Sequence, residues 1–200
     1  MTVNSNLLAS ELDGHLIKLI PIEEKHRHQL AEAAGDARIW RNTPLGPSFD
    51  HYFESLLDLK AGGTQVPFAV YHKSSDRLIG GTRFMDIVAP HCRLEIGGTW
   101  YHPDYWGGPT NPEAKWLLLN HAFGRFAANR VQLLTDVLNT HSQAAIAKLG
   151  AQREGVLRSH MIVDNGRIRD SVSFSITKQD WPGVDQKLRA RLAEFGVPTD

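Results

Sequence analysis

Apolar residues recur along the chain with two different spacings, and the switches between them divide it into strand and helix segments. Residues 16–20 form a short apolar stretch closed by Pro21, and residues 23–34 have helical composition, so a strand followed by a helix is expected. A second helix is predicted over 50–60, where Tyr52, Phe53, Leu56, Leu57 and Leu59 supply apolar groups and Gly62-Gly63 stops it. The period then shortens. Residues 66–71, 77–86 and 93–101 read as three strands, separated by the polar turn at 73–76 and the segment around Pro90, which suggests an antiparallel meander. From Pro112 the helical spacing returns, with Leu118, Leu119, Ala122, Phe123 and Phe126 forming one stripe.

Residues 131–137 have strand composition, and 142–149 read as a short helix ended by Gly150, a residue suited to left-handed helix ends. Two further strands, 156–163 and 168–176, flank Asp164-Asn165-Gly166, where Asn-Gly signals a hairpin. In the second of them Ile168, Asp170, Val172, Phe174 and Ile176 share one face, with Arg169, Ser171, Ser173 and Ser175 on the other. A terminal helix is expected over 185–194, packed by Leu188 and Leu192. No repeat, charge block or linker interrupts the pattern, and 200 residues suit one domain of about 150, so residues 1–200 are read as a single domain.

The 22 basic residues cancel the 22 acidic ones, which argues against a broad electrostatic grip on nucleic acid or an anionic membrane. Any bound anion must be held locally. No apolar run exceeds four residues, whereas a membrane helix needs about 20. Glu11 and Asp13 in the first stretch do not suit a secretion signal. The single cysteine, Cys92, cannot form an internal disulfide, so a cytoplasmic location is the expectation.

Candidate chemistry concentrates between Glu95 and Leu149. Gly97-Gly98 lies inside a strand, where glycine marks either a bend in the sheet or a bulge that frees backbone groups to pair with an extended ligand. The run Tyr105-Trp106-Gly107-Gly108-Pro109-Thr110-Asn111-Pro112 leads into a helix, with Asn111 expected as N-cap and Pro112 in the first turn. Glycines ahead of a helix start let N–H groups converge on a phosphate, although any capped helix after a Gly turn looks similar. It is not a P-loop, since no Gly-Lys-Ser/Thr follows. Thr140 and Gln143 have capping-box spacing, which would leave Asn139 just outside the next helix and Ser142 on its first turn.

Taken together, Glu95 to Pro103, Tyr105 to Lys115, Asn129 to Val131 and Asn139 to Ala151 carry a pattern that resembles the GNAT acetyltransferases. Within that family they are most similar to the branch containing the ribosomal-protein-alanine N-acetyltransferases (RimJ/RimL-like). Arg153 to Arg158 and Arg169-Asp170 extend the resemblance. It implies an α/β (α+β) fold, a mixed bent sheet of about six to seven strands with flanking helices, splayed into a cleft for acetyl-CoA. It further implies pantetheine contacts at Gly98, Thr99 and Trp100, and pyrophosphate contacts around Trp106, Gly107, Gly108, Thr110 and Asn111. Asn139 is carried over as a cofactor contact, and Ser142 as both a cofactor contact and the general acid. Relatives suggest a homodimer, while nothing in the sequence fixes the oligomeric state. The expected function is an N-acetyltransferase moving an acetyl group from acetyl-CoA directly to a primary amine, either a protein N-terminus or a small molecule. Pro109 stands where most relatives have a second glycine, deleting one donor from the loop.

Glu95 shares a strand face with Gly97 near the expected bulge and is the candidate general base, with a salt-bridged or solvated carboxylate as the alternative. Trp40, Arg41, Arg83, His160 and Arg169 are candidates to border the acceptor pocket, against surface or core roles. The ten histidines include His26-x-His28 and His91-Cys92, neither with zinc-site spacing, so no metal is expected and surface or capping roles suit them better. Cys92 is weighed as an acyl-accepting nucleophile against a small buried apolar residue. Two non-transferase alternatives stay open, an acyl-CoA-binding protein of the same fold without catalysis and a binder of nucleotide phosphates.

Overall fold

The computed structural model describes residues 10–41, 46, 48–163 and 166–199. The two-residue strand β1 (Leu12–Asp13) and β2 (Ile17–Pro21) open the chain, followed by α1 (Arg27–Ala33) and α2 (Phe49–Ala61). The meander is β3 (Val66–His72), β4 (Arg77–Val88) and β5 (Arg93–Tyr101). After it come α3 (Thr110–Gly124), β6 (Arg130–Asp136), α4 (Thr140–Leu149), β7 (Gln152–Ile162), β8 (Ile168–Thr177) and α5 (Trp181–Glu194). The strands form one sheet in the order β1-β2-β3-β4-β5-β6-β8-β7, so it has eight strands rather than six to seven. The addition is β1, too short to show a period of its own and held by pairing with β2.

Every neighbouring pair is antiparallel except β5 and β6, which the β5–α3–β6 crossover brings side by side in parallel. The sheet separates two cores. On one face α3, α4 and α5 cover Ile17, Leu19, Phe68, Phe84, Leu94, Ile96, Val131, Phe174 and Ile176, all at most 3% exposed. On the other, α1 and α2 cover Ala69, Leu78 and Trp100, and their reach ends at β5. Beyond that strand, Gln132 on β6 and Ser171, Ser173 and Ser175 on β8 point away from α3–α5, the serines being the polar half of the alternation read from the sequence and buried against His160 and Glu154 of β7.

Helix α3 is buried nearly all round, because the sheet, α5 and the β1–β2 turn enclose it. Its N-terminal end is fixed by Glu113, 1% exposed, whose carboxylate accepts N–H bonds from His15, Leu16 and Ile17, the last at 3.0 Å. At the hairpin, Asp164 and Asn165 lie outside the described residues. Gly166 has φ +79 and donates to the Val163 carbonyl, and β7 and β8 pair antiparallel.

Candidate active site

Strands β5 and β6 pair only where residues 93–95 meet 130–132. From Ile96 onward β5 keeps its β4 partner while its other edge has no neighbouring strand among the described residues, so the sheet parts into a V with Glu95 at its apex. Because the two strands are parallel, the helices that follow them begin at the same edge of the sheet. The N-termini of α3 and α4 therefore flank the mouth of the V, and the first-turn N–H groups of both lack intrahelical acceptors.

The glycine pair in β5 is a bulge. Arg83 pairs with Gly97 and Gly81 with Trp100, so Thr82 alone stands opposite Gly98 and Thr99. Gly98 takes φ +56, and a Cβ there would stand 2.5 Å from Arg83 Nε. Beneath the bulge the Thr99 hydroxyl meets Thr82 Oγ1 at 2.8 Å and accepts from Lys115 Nζ at 2.6 Å. Lys115 is 6% exposed, and burial holds its pKa down to about 7. Trp100 is core, its indole N–H donating to Tyr52 Oη at 3.2 Å, which leaves only its main chain toward the V.

The loop into α3 differs from expectation at its cap. Pro109 already has helical angles and serves as N-cap, with Glu113 N–H donating to its carbonyl at 2.9 Å. The helix thus starts at Thr110, and Asn111 lies inside it, its Oδ1 3.4 Å from Tyr101 Oη. Pro112 then falls in the first turn, where its missing donor costs nothing. Trp106 is held by its indole N–H on the Tyr101 carbonyl at 2.8 Å. Gly107 (φ +76) and Gly108 donate to no acceptor among the described residues, and a Cβ on either would meet nothing within 4 Å.

At α4 the cap is Asn139 rather than Thr140: Asn139 Oδ1 accepts from Ser142 N–H at 2.9 Å. Gln143 does not close the expected box, because its amide turns outward to the Val137 carbonyl at 2.8 Å. Ser142 keeps its place on the first turn at the mouth. Four residue steps along β6 lead from Gln132, beside Glu95, to Asp136, which amounts to about 13 Å of strand between apex and mouth.

Glu95 faces the side that α1 and α2 leave open. It is 7% exposed, and its pKa is pushed up to about 7 by burial first and by Asp86 second, while Arg169 and Arg83 pull it down. No cation lies within ion-pair distance of it among the described residues, so the salt-bridged alternative is not what the structure has. Gly97 beside it has no room for a side chain, since a Cβ would stand 2.7 Å from Met85 Sδ and 3.0 Å from Glu95 Oε1.

The remaining candidates divide. Arg83 and Arg169 border the open face near Glu95. Trp40 packs into the aromatic cluster of α1 and α2, 5.3 Å from Trp100, its indole N–H on the Ala34 carbonyl. Arg41 is exposed, and His160 pairs with Ser171 Oγ at 3.0 Å on the β7–β8 arm. Cys92, half-buried with φ +48, ends the turn before β5, about 20 Å of strand from the bulge, so neither nucleophile nor buried apolar residue describes it. His26 is a capping residue, its Nδ1 accepting from Glu23 N–H at 3.0 Å. Glu113 and Lys115 were not among the expected site residues. Both lie in the stretch from Tyr105 to Lys115 that carries the family resemblance, but that stretch assigns neither a role.

A family model described as "Acetyltransferase (GNAT) domain" matches residues 17–152. YdaF of Bacillus subtilis, provisionally described as a ribosomal N-acetyltransferase, is 31% identical over 153 residues, covering 76% of this chain and 77% of that protein. A crystal structure of a provisionally assigned acetyltransferase from T. thermophilus superposes with TM-score 0.82 at 34% identity, covering 92% of this chain and 97% of that one. At the level of fold alone, RimJ of Mycobacterium smegmatis, solved in complex with CoA-disulfide, matches with TM-score 0.76 at 20% identity over 96% of each chain.

Proposed function

The chain belongs to the GNAT acetyltransferase family, and from that membership we propose that it is of the RimJ-like branch and moves an acetyl group from acetyl-CoA directly to a primary amine. The observation that carries the reading is the parting of β5 from β6 with two helix N-termini at its mouth. The residues present suit an acyl-CoA. Gly107 and Gly108 offer N–H donors without acceptors among the described residues, in a loop with open space where side chains would otherwise stand. Trp106, Thr110 and Asn111 complete this pyrophosphate turn. The free edge of β5 at Gly98, Thr99 and Trp100 offers its main chain to an extended pantetheine arm. Asn139, its Oδ1 held by its own helix, contacts that arm through its amide.

In the transfer, the amine nitrogen bonds to the thioester carbonyl carbon and the carbon–sulfur bond breaks, giving an amide and the CoA thiol. Glu95 takes the proton lost by the nitrogen, relayed by water because it stands at the apex. Ser142 passes a proton to the departing sulfur from the mouth and takes one back from solvent, balancing the proton that Glu95 releases there. The thiol leaves readily, with pKa about 8.5, so the acid has the smaller task. At pH 7 an α-amine of pKa about 7.8 is roughly 10% neutral and a lysine of pKa about 10.4 less than about 0.1%, which favours α-amines.

The test is thiol release from acetyl-CoA with N-terminal peptides, amino acids, polyamines and aminoglycosides as acceptors. The expected result is release with α-amines above the rate without acceptor. Binding of CoA with no release from any amine would overturn transfer and leave an acyl-CoA-binding protein.

A further inference from the structure

Two buried guanidinium donors on the open face of the sheet have nothing to bind. Arg83 Nε on β4 and Arg169 Nε on β8 are sealed from solvent and find no hydrogen-bond acceptor among the described residues. The register places them on one face with Glu95 between them. Arg83 stands opposite Gly97, two residues from Glu95, and Glu95 pairs with Gln132. Asp136 pairs with Ser171, two residues from Arg169.

Arg169, its side chain 11% exposed, comes no closer to a carboxylate than 3.9 Å, at Asp136 Oδ2. That oxygen is already held by Arg167, and Oδ1 accepts from Leu138 N–H at 2.9 Å. Arg83 lies over the bulge, across Gly98. A buried N–H without an acceptor is a penalty in the free protein that a ligand oxygen removes. Guanidinium groups match carboxylates above other anchors, because the planar fork meets two oxygens at once. With Asp136 committed to Arg167, the face beside Glu95 holds excess positive charge, which suits an acidic group and repels polyamines.

Resting on the N-acetyl transfer reading, we infer that the acceptor is an amine carrying a carboxylate a few bonds away, which Arg83 and Arg169 clamp beside Glu95. The clamp holds the carboxylate next to the bulge, so the amine faces the free edge of β5 where the thioester is read to lie. The carboxylate comes either from a free amino acid or from an acidic first side chain of a peptide.

The experiment measures CoA release by the full chain with matched acceptors: glutamine and asparagine against their α-amides, C-terminally amidated peptides beginning with Glu or Asp against Gln and Asn, and spermidine. Carboxylate-bearing acceptors are expected to exceed their amide partners about 100-fold in kcat/KM, mainly through KM. Whether the free acids or the peptides lead identifies the source. In Arg83→Gln and Arg169→Gln that ratio should fall toward one. Arg83→Lys and Arg169→Lys keep the charge in the fold but lose the fork, and should also lose most of the ratio. Equal use of acids and amides, or a ratio unchanged in all four variants, would overturn the clamp while leaving N-acetyl transfer standing. Release from no acceptor would overturn both.

Discussion

Along β5, the face turned to α3 and the face left open treat buried polar groups in opposite ways. Under the strand, Thr99, Thr82 and Lys115 bond to one another, and Tyr101 reaches Asn111. Over it, Glu95 accepts a hydrogen bond from Gln132 but has no ion-pair partner among the described residues, and the Nε donors of Arg83 and Arg169 find no acceptor among them. Buried polar groups are ordinarily satisfied, so a closed network reads as architecture and an open one as a place for something that arrives. The two faces also contrast in charge. Burial pushes Glu95 up and Lys115 down, both to about 7, so each is half-ionised near neutrality.

The largest effect that would sharpen this contrast comes from the open face. Glu95→Gln should lower kcat/KM about 10²- to 10⁴-fold at pH 8 and remove an inflection near pH 7 below which the wild-type rate falls tenfold per unit. Stability should move the other way. A carboxyl whose folded pKa is raised favours the fold below its unfolded value of 4.5, and this contribution is lost as pH rises through about 7. The variant should therefore melt higher than wild type at pH 8. A fall in both activity and melting temperature would make Glu95 a structural carboxylate and erase the difference between the faces.

Ser142→Ala tests the mouth and should do less. With a thiol as leaving group, kcat at saturating acetyl-CoA should drop about 10²-fold or less, with the Glu95 inflection unchanged. Unchanged kcat would remove Ser142 from the mechanism and put the chemistry wholly at the apex.

How far these residues could be read without coordinates follows the range of the interactions that set them. Strand and helix positions were legible because alternation and the 3.6 spacing are local, and the Gly97-Gly98 bulge and the glycine loop showed in composition. Errors arose where two local signals competed. Thr140 and Gln143 had capping spacing, yet Asn139 one residue earlier made the bond, and Pro109 entered helical angles before Asn111 could cap. Wholly hidden were groups defined by distant partners. Glu113 depends on N–H groups nearly a hundred residues away, and the lack of an acceptor for Arg83 and Arg169 Nε depends on where β6 leaves β5.

The smallest effect belongs to the covered face and is thermodynamic. Lys115 has a depressed folded pKa, so its contribution to stability is full above its unfolded value of 10.5 and lost as pH falls through about 7. Between those limits the slope is at most about 1.4 kcal/mol per pH unit, or about 3–5 °C in Tm for a chain of this length. Lys115→Met keeps the volume and removes the titration. Wild type should lose melting temperature relative to the variant as pH is lowered from 10 to 7, with kcat of the two within about tenfold, since the amine holds the bulge from beneath. Parallel melting curves across that range would mean that Lys115 is charged and solvated in solution. The covered face would then be as open as the other, and completeness of hydrogen bonding would no longer tell the two apart.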